Sequence, residues 1–333
     1  ILFKEIQETG RIKYVRFWIR RGFKIWPSYI FLLLIIGITN TTQYLNYDSG
    51  LKFFKSLFIH LFFFQNYFEN ANGPTWSLAI EEHFYTLLPI ILILLIKFKG
   101  NKNKTFFQTK LLPKVFYVIL FGCLFLRVFH STISPLGLNE NSLSRGILIN
   151  SFMETQFRFD ALFFGVFLQY LHFIKSPIIS YILKRRFIFL ILSFALIIPA
   201  TFWGRNSYIM FNFGFLSLSI GYSLIVTLFY GNSFKIIERN FIYRTLTYIG
   251  LYSYNIYLWH WILPLMNVFY LNDFLYFLSI KISSPVLSGL VQCIVFALSS
   301  IFVGFILTKL MEEPFLKIRN KFFSSKFKIE KLD

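Results

Sequence analysis

Apolar runs of about 20 residues recur along the whole chain, separated by short polar and basic stretches. A helix needs about 20 apolar residues to cross the hydrocarbon layer. In lipid every backbone polar group must be bonded inside the segment, which leaves helices as the simplest solution. The pattern predicts an all-α polytopic membrane protein. Spans are expected at 26–44, 76–96, 112–130, 155–174, 187–203, 209–230, 246–270 and 286–311, about eight spanning helices in all. One more apolar run, FFKSLFIHLFFFQNYF at 53–68, is shorter and carries Lys55, His60, Gln65 and Asn66. It is expected to be re-entrant or interfacial on the outer side, not a crossing.

The polar stretches differ in charge. Arg11, Lys13, Arg16, Arg20, Arg21 and Lys24 precede the first expected span. Lys97, Lys99, Lys102, Lys104, Lys110 and Lys114 follow the second, and Lys184, Arg185 and Arg186 follow the fourth. Lys235, Arg239 and Arg244 follow the sixth, and Lys317, Arg319 and Lys321 follow the last. Every second loop is basic, as the positive-inside rule requires of eight alternating spans with both ends of this chain cytoplasmic. A ninth span at 53–68 would scatter the clusters over both sides.

The chain has 333 residues, of which 56% are hydrophobic, above the share of a soluble domain. Mean hydropathy is +0.59. A net charge of +19 would point to nucleic acid in a soluble protein. Here the loop clusters account for it, so membrane lipid is the expected partner and nucleic acid is not. Cys123 and Cys293 fall in apolar runs, without metal-ligand spacing or a disulfide framework. No metal site is expected. Residues 1–323 read as one membrane domain and 324–333 as a basic cytoplasmic tail. The outer loop at 131–154 is long enough to help cover a site.

Two adjacent carboxylates interrupt the second run, WSLAIEEHFYTLLPIILILLI. Each acid costs about 2.5–3.5 kcal/mol at a bilayer centre, about 5–7 for the pair, and the segment's apolar residues return about 4–7. Insertion barely breaks even, so the pair is expected to face partners or a polar cavity inside a bundle. On a helix Ser77, Glu81 and Tyr85 share one i, i+4 stripe, and Glu82 and Thr86 the next. Such a pair suits general acid–base work. An ion-paired packing role is the alternative.

Other constellations carry two readings each. Arg158 and Asp160 open RFDALFFGVFLQYL and either pair with each other or build a polar site facing the Glu pair. GRIKYVRFWIRRGFKIWP packs Arg20, Arg21 and Lys24 close together. It is either a topogenic cluster against anionic lipid or a cytoplasmic anion site for a phosphorylated donor. YSYNIYLWHWILP places Tyr257 and His260 inside one span: His260 reads as a helix–helix hydrogen bond, and Trp259 and Trp261 as an aromatic belt or a sugar-stacking surface. Glu312 and Glu313 read as a local ion-pair cluster. No P-loop, dinucleotide fingerprint, nucleophile elbow or zinc-protease motif is present.

These pieces in this order resemble one family. RRGFKIWP, GPTWSLAIEEHFYTLLP, RFDALFFGVFL, YSYNIYLWHWILP and EEPFLKIRNKF are similar to the integral-membrane acyltransferase family 3. The resemblance covers nearly the whole chain. It implies a core of ten spans, of which the first two precede Ile1, and a bacterial plasma (inner) membrane location. It also implies transfer of an acyl group, often acetyl, from cytoplasmic acyl-CoA to a hydroxyl of an extracytoplasmic glycan. No cofactor is held permanently; acyl-CoA is the donor substrate. The family's essential His lies in its first span, so the chain as given is expected to be inactive alone.

By this resemblance Glu81 and Glu82 are the catalytic candidates, with one of them orienting that His or acting as acid–base partner. Arg158, Asp160, Tyr85, Tyr257 and His260 are the candidates for acceptor binding. Arg20, Arg21 and Lys24 are the candidates for the phosphates of CoA, although Lys24 stands where the family has a second Arg. The family often has Gln where His83 stands. A transporter or flippase of lipid-linked saccharides is the alternative function, since intramembrane acids also serve proton coupling.

Overall fold

The computed structural model describes residues 2–41, 47–68, 75–99, 106–107, 109, 111–133, 151–204, 207–231, 241–265, 270–282 and 284–323. Lys102, Lys104, Lys110, Lys235 and Arg239, most of the 131–154 loop and the 324–333 tail lie outside the described residues. Among the described residues there is no strand; the chain is all α, with short 3-10 and π turns.

Each of the eight expected segments contains a helix, but the helices differ in reach. Five are long and apolar enough to cross a membrane: Tyr14–Ile38, Thr75–Phe98, Leu111–Ile133, Met210–Phe229 and Pro285–Phe322. A sixth is the pair Phe159–Phe173 and Pro177–Lys184, bent by 96°. The bend has a local cause. Lys175 is left-handed at φ 50, and Ser176 caps the next helix, which opens on Pro177. Arg186–Phe202 is apolar but only 17 residues long. Phe241–Trp259 has 19 residues, and its Tyr, Thr, Ser and Asn side chains hold its hydropathy down.

Two boundaries depart from expectation. The first span begins at Tyr14, inside the basic segment, so that Arg16, Arg20, Arg21 and Lys24 stand on its first three turns; long Arg and Lys stems tolerate this. The span expected at 246–270 breaks at His260 and resumes as Ile262–Leu265. Pro264 accounts for the break: its ring clashes with the carbonyl four residues back and it has no N–H to give. At 53–68, the Tyr47–Leu61 helix stops before Phe63, at φ 60, and the short Gln65–Phe68 helix follows.

The chain divides into two compact units. The first comprises residues 1–14, 63–70 and 76–235. Its Leu2–Thr9 helix buries Leu2, Phe3, Glu5 and Ile6 and ends on Gly10, whose φ of 65 permits the left-handed cap. Glu5 accepts a hydrogen bond from the Lys13 N–H at 3.2 Å, so a buried carboxylate ties down the turn. Phe3 packs edge-on to Phe107 and Phe173, with centroids 5.6 and 5.9 Å away. Arg186–Phe202 lies close against Phe215–Gly231: a Cβ on Gly221 would stand 2.7 Å from Ile197 Cγ1.

The second unit comprises residues 15–62, 71–75 and 236–333. Tyr29 donates to the His60 carbonyl at 2.9 Å and Tyr254 to the Ile25 carbonyl at 2.7 Å. The Phe241–Trp259 and Pro285–Leu307 helices meet backbone to backbone at Gly304. A Cβ there would lie 2.4 Å from Ile256 Cγ1 and 2.8 Å from the Ile256 backbone. Small residues are the usual means of such approach in membranes. Gly304→Ala is therefore expected to cost about 1–3 kcal/mol, read as a lowered thermal midpoint of the purified protein. Gly122→Ala, where a Cβ meets open space, is the control and should leave the midpoint unmoved.

Candidate functional site

Three helices of the first unit each give one stripe to a cavity of about 450 Å³. Trp76, Ser77, Ile80 and Glu81 come from Thr75–Lys99. Arg158, Ala161, Leu162, Gly165 and Leu168 run down one side of the next wall. Phe215, Leu218, Ser219, Tyr222, Ser223 and Val226 form the third. Each set recurs at three- and four-residue steps, one face of a helix. Trp76, Ser77, Glu81 and Arg158 stand at the beginnings of their helices.

Arg158 is aimed by its surroundings. The 3-10 turn Thr155–Phe157 ends in the bond from the Arg158 N–H to the Thr155 carbonyl, 3.0 Å, and the Arg158 carbonyl then accepts from Ala161 at 3.2 Å. The guanidinium lies 3.4 Å from the Phe215 ring centroid, 4.3 Å from Phe152 and 5.4 Å from Trp76. An aromatic cage of this kind holds a cation and keeps its planar fork in one orientation.

Asp160, two residues on, belongs elsewhere. It takes a bidentate ion pair from Arg127, at 2.7 and 3.1 Å, and Arg127 also donates to the Phe157 carbonyl at 2.7 Å. Both side chains are fully buried, Arg127 at 0% and Asp160 at 2% exposure. Asp160 thus does not line the cavity; with Arg127 it pins the turn from which Arg158 projects. Arg127 is absent from the candidates drawn from the sequence. Its signal was there, as a lone Arg in the last turns of an apolar span.

The two glutamates part company. Glu81 lines the cavity with Ser77, whereas Glu82 is buried at 5% exposure and does not line it. Successive helical residues differ by about 100°, which is enough to separate them. Tyr85 is half-buried beside Phe84, with centroids 5.5 Å apart, and also lies off the cavity. His83 joins a polar network instead. Its Nδ1 lies 2.8 Å from Thr155 Oγ1, to which Asn66 Nδ2 donates at 3.0 Å. Tyr67 donates to Gln156 at 2.9 Å and Gln156 to Glu154 at 2.5 Å. Burial pushes the Glu154 carboxyl above its ordinary range, and the Gln156 bond opposes this.

The remaining candidates lie in the second unit. His260 sits at the break after Trp259, its Nδ1 2.6 Å from the Tyr257 carbonyl, and the Tyr257 ring is exposed. Arg20 donates to the Phe323 carbonyl and lies within electrostatic reach of Arg319 and Arg16. Lys24 and Arg319 are electrostatic neighbours of Glu312, which is buried and accepts from Asn255 Nδ2 at 3.1 Å. Asn255 also donates to Thr308 at 2.9 Å. Glu312 ends a π turn, Thr308–Glu312, and Glu313 pairs with Lys309.

The sequence family described as an acyltransferase domain matches residues 2–309. The chain belongs to this family. It is 27% identical over 311 residues to a protein of Staphylococcus aureus strain COL named as a candidate O-acetyltransferase, covering 85% of this chain and 47% of that protein. It is 25% identical over 290 residues to the O-acetyltransferase OatA of Staphylococcus aureus strain NCTC 8325, covering 82% and 44%. It is 24% identical over 283 residues to the peptidoglycan O-acetyltransferase OatA of Listeria monocytogenes, covering 78% and 42%. The chain thus spans about half the length of the curated relatives it matches. No solved structure matches. Apolar helices and acyltransferase family together make this a multi-pass membrane protein.

Proposed function

We propose that the chain serves O-acyl transfer: an acyl group, acetyl in the first place, passes from cytoplasmic acyl-CoA to a hydroxyl of an extracytoplasmic glycan at a bacterial plasma membrane. The observation that carries this reading is a carboxylate, Glu81, facing a cavity from within an apolar helix and sharing its polar end with the caged Arg158. The relatives' O-acetyltransferase names support the reaction class.

A sugar hydroxyl is a weak nucleophile until a base takes its proton. Glu81 takes part in that transfer, as base or as the group that orients one. The new C–O ester bond forms, the thioester C–S bond breaks, and the proton leaves with the CoA thiolate. Arg158 offers a fixed positive charge to the acceptor or to the oxyanion of the tetrahedral intermediate. Arg20 with Arg16 and Arg319, and Lys24 with Arg319 beside Glu312, gather cations suited to the phosphates of the donor, with Arg21 the next residue along the same helix.

The full-length protein in membranes, supplied with radiolabelled acetyl-CoA and envelope glycan, is expected to leave label in alkali-labile ester on the glycan; the turnover of every variant below likewise refers to that protein. Saccharide uptake driven by a pH gradient, with no label transferred, would contradict the reading. Lys24→Gln is expected to raise KM for the donor about tenfold, the worth of one charge-assisted hydrogen bond, with kcat unchanged. An unaltered KM would remove Lys24 from the donor site.

A further inference from the structure

We propose that the acceptor glycan is presented on a lipid, and that the lipid's hydrocarbon chain lies in the cavity that Glu81 and Arg158 head; this rests on the reaction proposed above. Below its polar head the cavity changes character. From Arg158 to Leu168 its wall descends ten residues of helix, about 15 Å at 1.5 Å each. That is half of a hydrocarbon layer about 30 Å thick, the depth of one leaflet. Along this length Ala161, Leu162, Leu168, Leu218 and Val226 supply most of the lining, with Ser219, Tyr222 and Ser223 its hydroxyl-bearing members. Ser219 spends its hydroxyl on the Phe215 carbonyl at 2.8 Å. A sugar placed here would leave most of its hydroxyls without partners, whereas a hydrocarbon chain needs none.

Two more observations favour a chain entering from lipid. Tyr222 and Val226 on the wall are 54% and 53% exposed, so the cavity is bordered by side chains open to the surroundings. Gly165 stands midway down, inside a helix, where glycine costs about 1 kcal/mol against alanine, and a Cβ there would meet nothing within 4 Å. The glycine is therefore not needed for helix packing; it leaves width in the groove. The head carries Trp76, a flat ring suited to a sugar face, beside Ser77, Glu81 and Arg158 as hydrogen-bonding groups. Apolar length joined to a polar, aromatic head matches a glycolipid.

The test places the protein in nanodiscs of phosphatidylglycerol and phosphatidylethanolamine with a long-chain alkyl disaccharide glycoside bearing a diazirine in mid-chain. Photolabel is expected on Phe159–Phe173 and Phe215–Gly231. Unlabelled glycoside should displace it and the chain-free disaccharide should not. Gly165→Leu should reduce labelling at least tenfold, while Gly165→Ala and the control Gly122→Leu retain it. Labelling unchanged by Gly165→Leu, or displaced equally by added phosphatidylglycerol, would mean ordinary boundary lipid and overturn the proposal. If Gly165→Leu fails to insert, the competition arm decides alone. Groove labelling with no acyl transfer would overturn the reaction and leave the lipid site standing; transfer with no groove labelling would do the reverse.

Discussion

Arg127→Ala is expected to destabilise the protein by about 3–5 kcal/mol, the cost of leaving one member of a buried ion pair without the other. Asp160, at 2% exposure, would keep a charge with no counterion, and the Phe157 carbonyl would lose its donor. A collapse of the thermal midpoint and of the folded yield in membranes checks this. The double variant Arg127→Met with Asp160→Leu removes both charges and is expected to recover most of the stability. It should not recover transfer. The Arg127 fork holds Phe157 and Asp160 on either side of Arg158, so without it the caged guanidinium loses its anchored turn. A double variant that is both stable and fully active would show that the ion pair only supports the fold.

Glu81→Gln is expected to lower kcat about 10²–10⁴-fold, the range for loss of a general acid–base group. Gln keeps the shape and the hydrogen-bonding reach of Glu but carries neither the charge nor the exchangeable proton. Glu82→Gln separates position from chemistry. Glu82 lies on the same turn yet is buried off the cavity, so its replacement should act on the thermal midpoint more than on turnover. Equal losses of kcat from both variants would mean that the pair acts as one unit, and the cavity would not be what distinguishes them.

Much of this was readable from residue pattern, for physical reasons. Period and length of the apolar runs place a helix in every expected segment, because lipid leaves the backbone few alternatives. Span ends were less legible, since they depend on single residues acting at a distance along the chain. Pro264 breaks the helix at His260, and Lys175 with Ser176 turns it by 96°. The basic stretch before Trp26 looked like a loop because its charges are dense, yet long Arg and Lys stems tolerate a helix.

At the site, the i, i+4 relation of Ser77 and Glu81 was visible and holds: both line the cavity. The partner of Asp160 was not, because Arg158 is its neighbour in sequence whereas Arg127 reaches it from another helix. Which of two adjacent glutamates faces the cavity depends on how the helix is rotated against its neighbours. Apolar residues surround both in sequence, so the pattern could not set that rotation. The role of Gly165 was equally hidden, since an isolated glycine in a helix reads the same whether it faces packed backbone, as Gly304 does, or open space.

Whether Glu81 serves the chemistry is decided by acetyl transfer in the Glu81→Gln protein, normalised to folded protein and compared with parent and with Glu82→Gln. The thermal midpoint is expected to match the parent's and the chemical step to slow by about a hundredfold or more, with KM for the donor little changed. An undiminished rate in a fully folded Glu81→Gln protein would contradict it.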